Sequence, residues 1–230
     1  MDIQKPLLKL YYDICSPYSW VAFESLIRYE TILDIKLELL PVSIGHIFKA
    51  TKNTPNAMQM PQKSVYFPKD LKLVGSYWGI PLTPPKDFKK EFVDNSTLNP
   101  QRFLTALDLY AHEYLIDASR KYWLKAWSRH ETFFGIDTIE EICENLKIPE
   151  AKSLLEATKS PNISNLLKER TNQVLALGAF GLPWITLEQF NSDNNETISF
   201  WGSDRLPIIC DLLGKEYCGP LKEKSLKNKI

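Results

Sequence analysis

The sequence predicts an α/β fold in which a βαβ start and a ββα finish belong to one sheet, separated by a large helical insertion. Three observations carry this. Residues 7–14 and 35–40 alternate apolar and polar side chains with period two, and the stretch between them has helical spacing. Residues 65–178 hold mostly helical segments in series. Residues 184–190 and 196–201 are short apolar runs about the polar turn Asn191-Ser192-Asp193-Asn194-Asn195, with a helix after them.

In chain order, the first strand puts Leu8, Leu10, Tyr12 and Ile14 on one face and Lys9 and Asp13 on the other, which reads as half-buried or near a sheet edge. A helix follows from Pro17 to about Glu30. The second strand, 35–40, should lie parallel to the first with a right-handed crossover. Residues 51–85, rich in Asn, Lys and Pro, read as loop plus short helix. Helices are expected at 101–112, opened by Asn99-Pro100, at 117–130, and at 138–145 with Thr138 and Glu141 in capping-box spacing. Another begins at Ser160-Pro161, places Ile163, Leu166, Leu167, Val174 and Leu175 at helical intervals, and stops at Gly178. The last helix is expected from about Ser203 to Leu213, with Pro207 sitting awkwardly close to a Ser203 cap. This order is that of a thioredoxin-like domain, residues 5–64 and 179–222, with an inserted helical domain at 65–178 and a basic tail at 223–230.

Composition bounds the function. A chain of 230 residues, 44% hydrophobic and with six Trp, can bury a substantial core. Lys plus Arg equals Asp plus Glu at 28 each without a long block of either sign, so neither nucleic acid nor a membrane surface is the expected partner. Cys15, Cys143, Cys210 and Cys218 form no C-x-x-C pair, which fits reduced intracellular thiols better than a disulfide framework or a zinc site, and no metal is expected. No apolar run approaches the ~18 residues of a membrane span, and no basic-then-apolar signal opens the chain.

The stretch Cys15-Ser16-Pro17-Tyr18-Ser19-Trp20 runs from strand into helix start. Ser16 suits the N-cap and Pro17 the first turn, because proline has no N–H to lose there. Free N–H donors and the positive dipole pole at such an end stabilise a thiolate or carboxylate. Read alone, Ser16 is a bare cap or a sulfur-handling donor. As a nucleophile it would need a base, and His46, His112 and His130 sit in no hydrolase motif. Cys15 is either a reactive thiol or inert packing at a strand end.

The run Ser16-Pro17-Tyr18-Ser19-Trp20, with Gly178-Ala179-Phe180-Gly181-Leu182-Pro183 and Gly202-Ser203-Asp204-Arg205, resembles the kappa-class glutathione transferases, relatives of the thiol oxidoreductase DsbA. The likeness extends from Leu7 to about Pro220. It implies a thioredoxin-like fold, glutathione as co-substrate with a small apolar electrophile, peroxidase activity as a second use, a homodimer, and a mitochondrial or peroxisomal address for which the sequence has no clear targeting signal. By the same likeness Ser16 is catalytic, and Ser16, Pro17, Tyr18, Asn53, Lys63, Leu182, Pro183, Ser203 and Asp204 bind glutathione. Leu182-Pro183 looks like a cis-proline loop that pairs with the cysteinyl backbone. Lys63 would face the glycine carboxylate, and Asp204 the γ-glutamyl amine. DsbA-like enzymes carry two cysteines where this chain has Ser16 and Ser19, so no intramolecular disulfide can cycle electrons here. Two other readings stay open: a glutathione-dependent isomerase of the 2-hydroxychromene-2-carboxylate type, and a non-catalytic carrier or chaperone-like protein on the same scaffold.

Overall fold

The computed structural model describes residues 5–188 and 197–224. Four strands form one sheet in the order β2-β1-β3-β4, from β1 (Leu7–Tyr12), β2 (Lys36–Pro41), β3 (Trp184–Glu188) and β4 (Thr197–Trp201). β1 and β2 are parallel and the other two pairings are antiparallel, with Leu10 opposite both Leu39 and Ile185. The expected hairpin is present. Its turn at 191–195, and the strand ends at Phe190 and Glu196, lie outside the described residues.

β1 is central rather than near an edge, and both its faces are covered. Leu8, Leu10 and Tyr12 join the main core, whereas Tyr11 joins a second cluster with Val42, Ile47, Val174 and Trp184. The alternation suggested one wet face because Lys9 and Asp13 are polar. Lys9 instead pairs with Glu188 on β3 at 2.7 Å, and Asp13 is fully buried.

The crossover helix α1 (Pro17–Leu33) is buried nearly all round, between the sheet and the insertion. α2 (Ile44–Thr51) and α3 (Asn56–Gln59) follow, then the 18-residue α4 (Pro61–Trp78). This region read as mostly loop because of its prolines. Pro68 nevertheless sits inside α4, a case of tertiary packing overriding local preference, with Leu71, Gly75 and Trp78 as the buried stripe. A Cβ on Gly75 would stand 2.8 Å from the Ile80 carbonyl, so glycine is what lets the 80–82 segment close over the helix.

The rest of the insertion comprises α5 (Leu98–Tyr110), α6 (Leu115–Leu124), α7 (Ile136–Asn145), α8 (Ala151–Lys159) and α9 (Pro161–Ala176). The expected 117–130 helix ends its regular part at Leu124 and continues as a wider turn over Lys125–Arg129. α7 starts two residues before Thr138, whose hydroxyl donates to the Thr132 carbonyl rather than capping the helix. Ser160 caps α9 as expected, accepting from the Ile163 N–H. Arg120 on α6 grips buried Glu24 on α1 through two hydrogen bonds of 2.8 and 3.1 Å, tying sheet domain to insertion.

The final helix, α10 (Leu206–Leu212), starts three residues later than expected. Gly202, Ser203 and Asp204 form a turn before it, and Arg205 takes the cap position without a side-chain bond. Pro207 then falls in the first turn, where its missing N–H costs nothing.

Candidate active site

The carboxyl end of β1 is held by the insertion as much as by the sheet. Buried Gln101 donates to the carbonyls of Tyr12 and Val42, and the Trp127 indole N–H to that of Ile14. The Asp13 carboxylate accepts from the Cys15 N–H, the Ile44 N–H and the Thr97 hydroxyl at 2.9–3.0 Å. It thereby pins the β1–α1 turn to the β2–α2 turn. Burial pushes its pKa up to about 6 despite these three donors.

On this base Ser16 caps α1, with extended backbone and its Oγ accepting from the Ser19 N–H at 3.1 Å. The hydroxyl donates across the fold to the Leu182 carbonyl at 3.2 Å, and Leu182-Pro183 is a cis peptide. The Pro183 carbonyl accepts from the Gly202 N–H, which fixes this loop against the end of β4. Ser16 is only 5% exposed. Of the two serines at the helix start it alone lines the cleft, since Ser19 is fully buried.

That cleft spans about 560 Å³ of space counted out into the solvent at its open mouth. Ser16, Pro17, Tyr18, Asn53 and Leu182 line it together, as the sequence reading grouped them. Tyr18 is fixed by a short hydrogen bond to Asp70 on α4, so its ring serves as wall, packed edge-on against Phe67. Asn53 donates to the Phe180 carbonyl at 2.8 Å and accepts from Gln59, and Gln59 in turn accepts from Lys63. Lys63 is thus exposed two hydrogen bonds away from the cleft wall. Ser203 and Asp204 do not line it either; they follow Trp201, which does. Asp204 is exposed and pairs with the half-buried Arg205 at 3.1 Å.

Cys15 lies beside Ser16 in the cleft wall, but burial and the Asp13 carboxylate push its thiol well above the ordinary range. That shift favours the protonated thiol at this position. Sequence reasoning missed Asp13 as an organiser and Phe48, Phe88 and Trp201 as lining. Gly181 carried a signal: a Cβ there would stand 3.0 Å from the Trp201 indole nitrogen, so the loop glycine admits that ring.

Among the described residues no group of three or more His, Cys, Asp or Glu is placed to hold a metal, and no helix is long and apolar enough to cross a membrane.

Residues 7–214 match the family model of the DSBA-like thioredoxin domain. The chain is 38% identical to human glutathione S-transferase kappa 1 over 93% of each chain. It is 36% identical to the rat protein of that name over 94% of each. Among solved structures, a 2-hydroxychromene-2-carboxylate isomerase superposes with a TM-score of 0.69 at 18% identity, covering 90% of this chain and 94% of that one. The cytosolic disulfide reductase DsbM from Pseudomonas aeruginosa follows with a TM-score of 0.59 at 13% identity, covering 90% and 95%. At such identities these two speak for the fold alone.

Proposed function

The chain belongs to the DsbA-like thioredoxin-domain family and, within it, to the kappa-class glutathione transferases, and we propose that Ser16 ionises glutathione there for conjugation to a small electrophile. The observation that carries the mechanism is the Ser16 hydroxyl, at a helix N-terminus, facing an apolar cleft across from the cis-proline loop. Its proton points at the Leu182 carbonyl over a long 3.2 Å contact, so a small rotation redirects it to an arriving sulfur. The Ser19 N–H, by donating into Oγ, polarises the hydroxyl and makes it a better donor.

Glutathione's thiol, like free cysteine, has a pKa of ~8.5 and is mostly protonated at neutral pH. A hydrogen bond to a charged acceptor contributes roughly 1.5–3 kcal/mol and the helix terminus roughly 0.3–1 kcal/mol, together about one to three pKa units. That makes thiolate the main bound form. The thiolate then forms the new carbon–sulfur bond while the leaving group departs with its electron pair. Rates of conjugation that saturate with glutathione support the transferase. Tight glutathione binding without turnover would instead identify the carrier.

Leu182 offers its main chain to the cysteinyl backbone in the manner of an added strand. Asn53 holds the facing loops at their spacing, with Lys63 behind it for the glycine carboxylate, and Asp204 takes the γ-glutamyl amine. Asp204→Ala weakens glutathione but barely affects an analogue lacking that amine, because only the first ligand leaves a cation unpaired. Calorimetric titration of both ligands checks this. Equal losses would return Asp204 to a purely structural role.

The assembly proposed is a homodimer. Tyr122, Trp123 and Trp127 of the insertion lie inside the fold at 0% exposure and offer nothing to an interface. The support comes from α4, where Val65, Tyr66, Leu73 and Tyr77 are exposed along one helix. A two-fold contact of ordinary size buries ~1,600 Å² in total. Sedimentation equilibrium at low micromolar concentration gives twice the 26.6 kDa chain mass if the dimer forms. A mass of one chain at every concentration would sink it.

A further inference from the structure

The thiol cleft does not end at Ser16. A second cleft opens beside it and shares Cys15, Ile44, Phe48, Pro55 and Phe88 with the first, so the two adjoin along these side chains. Its far part is lined by Phe92 and by the 94–97 turn, which carries Asp94, Asn95, Ser96 and Thr97. The apolar wall is built of rings packed on one another. Phe92 is stacked on Trp127 at 4.2 Å between ring centres, and Phe88 lies against Phe67, Phe92 and Trp127.

The charge in this groove is one-sided. No Lys, Arg or His lines either cleft, and Asp94, exposed at the polar end, is the one acidic side chain among the described lining residues. Lys89 and Lys90 precede it on the same winding and do not line the groove, nor do His46, Lys49 and Lys52 on and after α2. Thr97 is already spent on Asp13, and Asn95 donates to the Lys90 carbonyl. Cys15, at the junction, is a neutral thiol.

From this adjacency and charge we infer that Asp94 sets the charge preference for the acceptor, favouring neutral or cationic flat aromatic electrophiles over carboxylated ones. The inference rests on the glutathione-transferase reading and adds the acceptor's class. A flat ring in this part of the groove meets the apolar side chains of Phe48 and Phe88, which line both clefts. A carboxylate on that ring finds no cation there and meets Asp94 instead, which disfavours it. The same argument counts against a chromene carboxylate as the substrate of this chain.

The test compares 1-chloro-2,4-dinitrobenzene with 4-chloro-3,5-dinitrobenzoate. In both, the thiolate sulfur bonds to the ring carbon and chloride leaves with the C–Cl electron pair. Each kcat/KM is divided by the rate constant of the uncatalysed reaction with glutathione, so that intrinsic reactivity cancels. The neutral acceptor is expected to lead by on the order of ten-fold. Asp94→Asn narrows that ratio, and Asp94→Lys reverses it. Because the readout is a ratio, a general loss of folded protein does not move it. Equal normalised rates in the parent chain, or a ratio unmoved by Asp94→Lys, would overturn the proposal while leaving the transferase reading standing. Calorimetry with glutathione alone separates the two levels: absence of binding, with no conjugation of either acceptor, would overturn both.

Discussion

Ser16→Ala lowers turnover by about ten-fold or more while most of the glutathione affinity survives. The tripeptide is held mainly through contacts away from the sulfur, at the cis-proline loop and the cleft rim, and these remain. What is lost is one hydrogen bond to a developing or formed thiolate, worth roughly 1.5–3 kcal/mol and hence about ten- to a hundred-fold in rate. The helix terminus still contributes its partial charge, so activity does not vanish. The substitution also removes the acceptor of the Ser19 N–H and the link to the Leu182 carbonyl. That costs about 1 kcal/mol of cap stability, so a melting curve accompanies the kinetics. Unchanged kcat in a folded variant would take Ser16 out of the mechanism.

Asp13→Ala destabilises the fold by about 2–4 kcal/mol at pH 5, the largest effect expected of one side chain outside the apolar core. The buried Ile44 N–H loses its acceptor, at about 1–3 kcal/mol, and the half-buried Cys15 N–H loses its own, at about 1 kcal/mol, while the Thr97 hydroxyl can turn elsewhere. The deficit also depends on pH in a defined direction. The folded-state pKa of Asp13 is about 6, raised by burial from an ordinary 3.8. Between those values the folded chain holds the proton and the unfolded chain does not, so wild-type stability falls as pH rises from about 4 to about 6. The Ala variant lacks this loss, so the gap between the two narrows toward neutral pH. Denaturant midpoints of both chains across that range check it. A constant gap would mean that the fold leaves the Asp13 pKa unshifted, and a widening one that Asp13 is stabilised as the carboxylate; either contradicts the expectation.

The local readings that succeeded were those with a chemical reason inside a few residues. Ser16-Pro17 and Ser160-Pro161 are both observed caps, because an N-cap needs only its own side chain and the next turn. The hairpin and the βαβ start followed from periodicity for the same reason. What failed depended on distant partners. Asp13 reads as a wet-face residue until Thr97 and Ile44, 84 and 31 positions away, are brought to it. α4 was hidden by Pro68, whose local cost inside the helix is offset by packing of Leu71, Gly75 and Trp78 that no window of sequence displays. The start of α10 moved from Ser203 to Leu206 because Pro207 fits only the first turn. In the site, residues from the two loops nearest the helix start were legible as a group. Phe48 and Phe88, which shape the groove, carried no signal beyond being aromatic.

The account turns on one quantity, the pKa of glutathione's thiol when bound. Titrating the ultraviolet thiolate absorbance of saturated complexes, for the parent chain and for Ser16→Ala, measures it directly. The account predicts a parent value one to three units below the free ~8.5, and a value in the Ala variant that moves back up by about one unit or more. A bound thiol that titrates at its free value in the parent chain, or identically in both proteins, would contradict it.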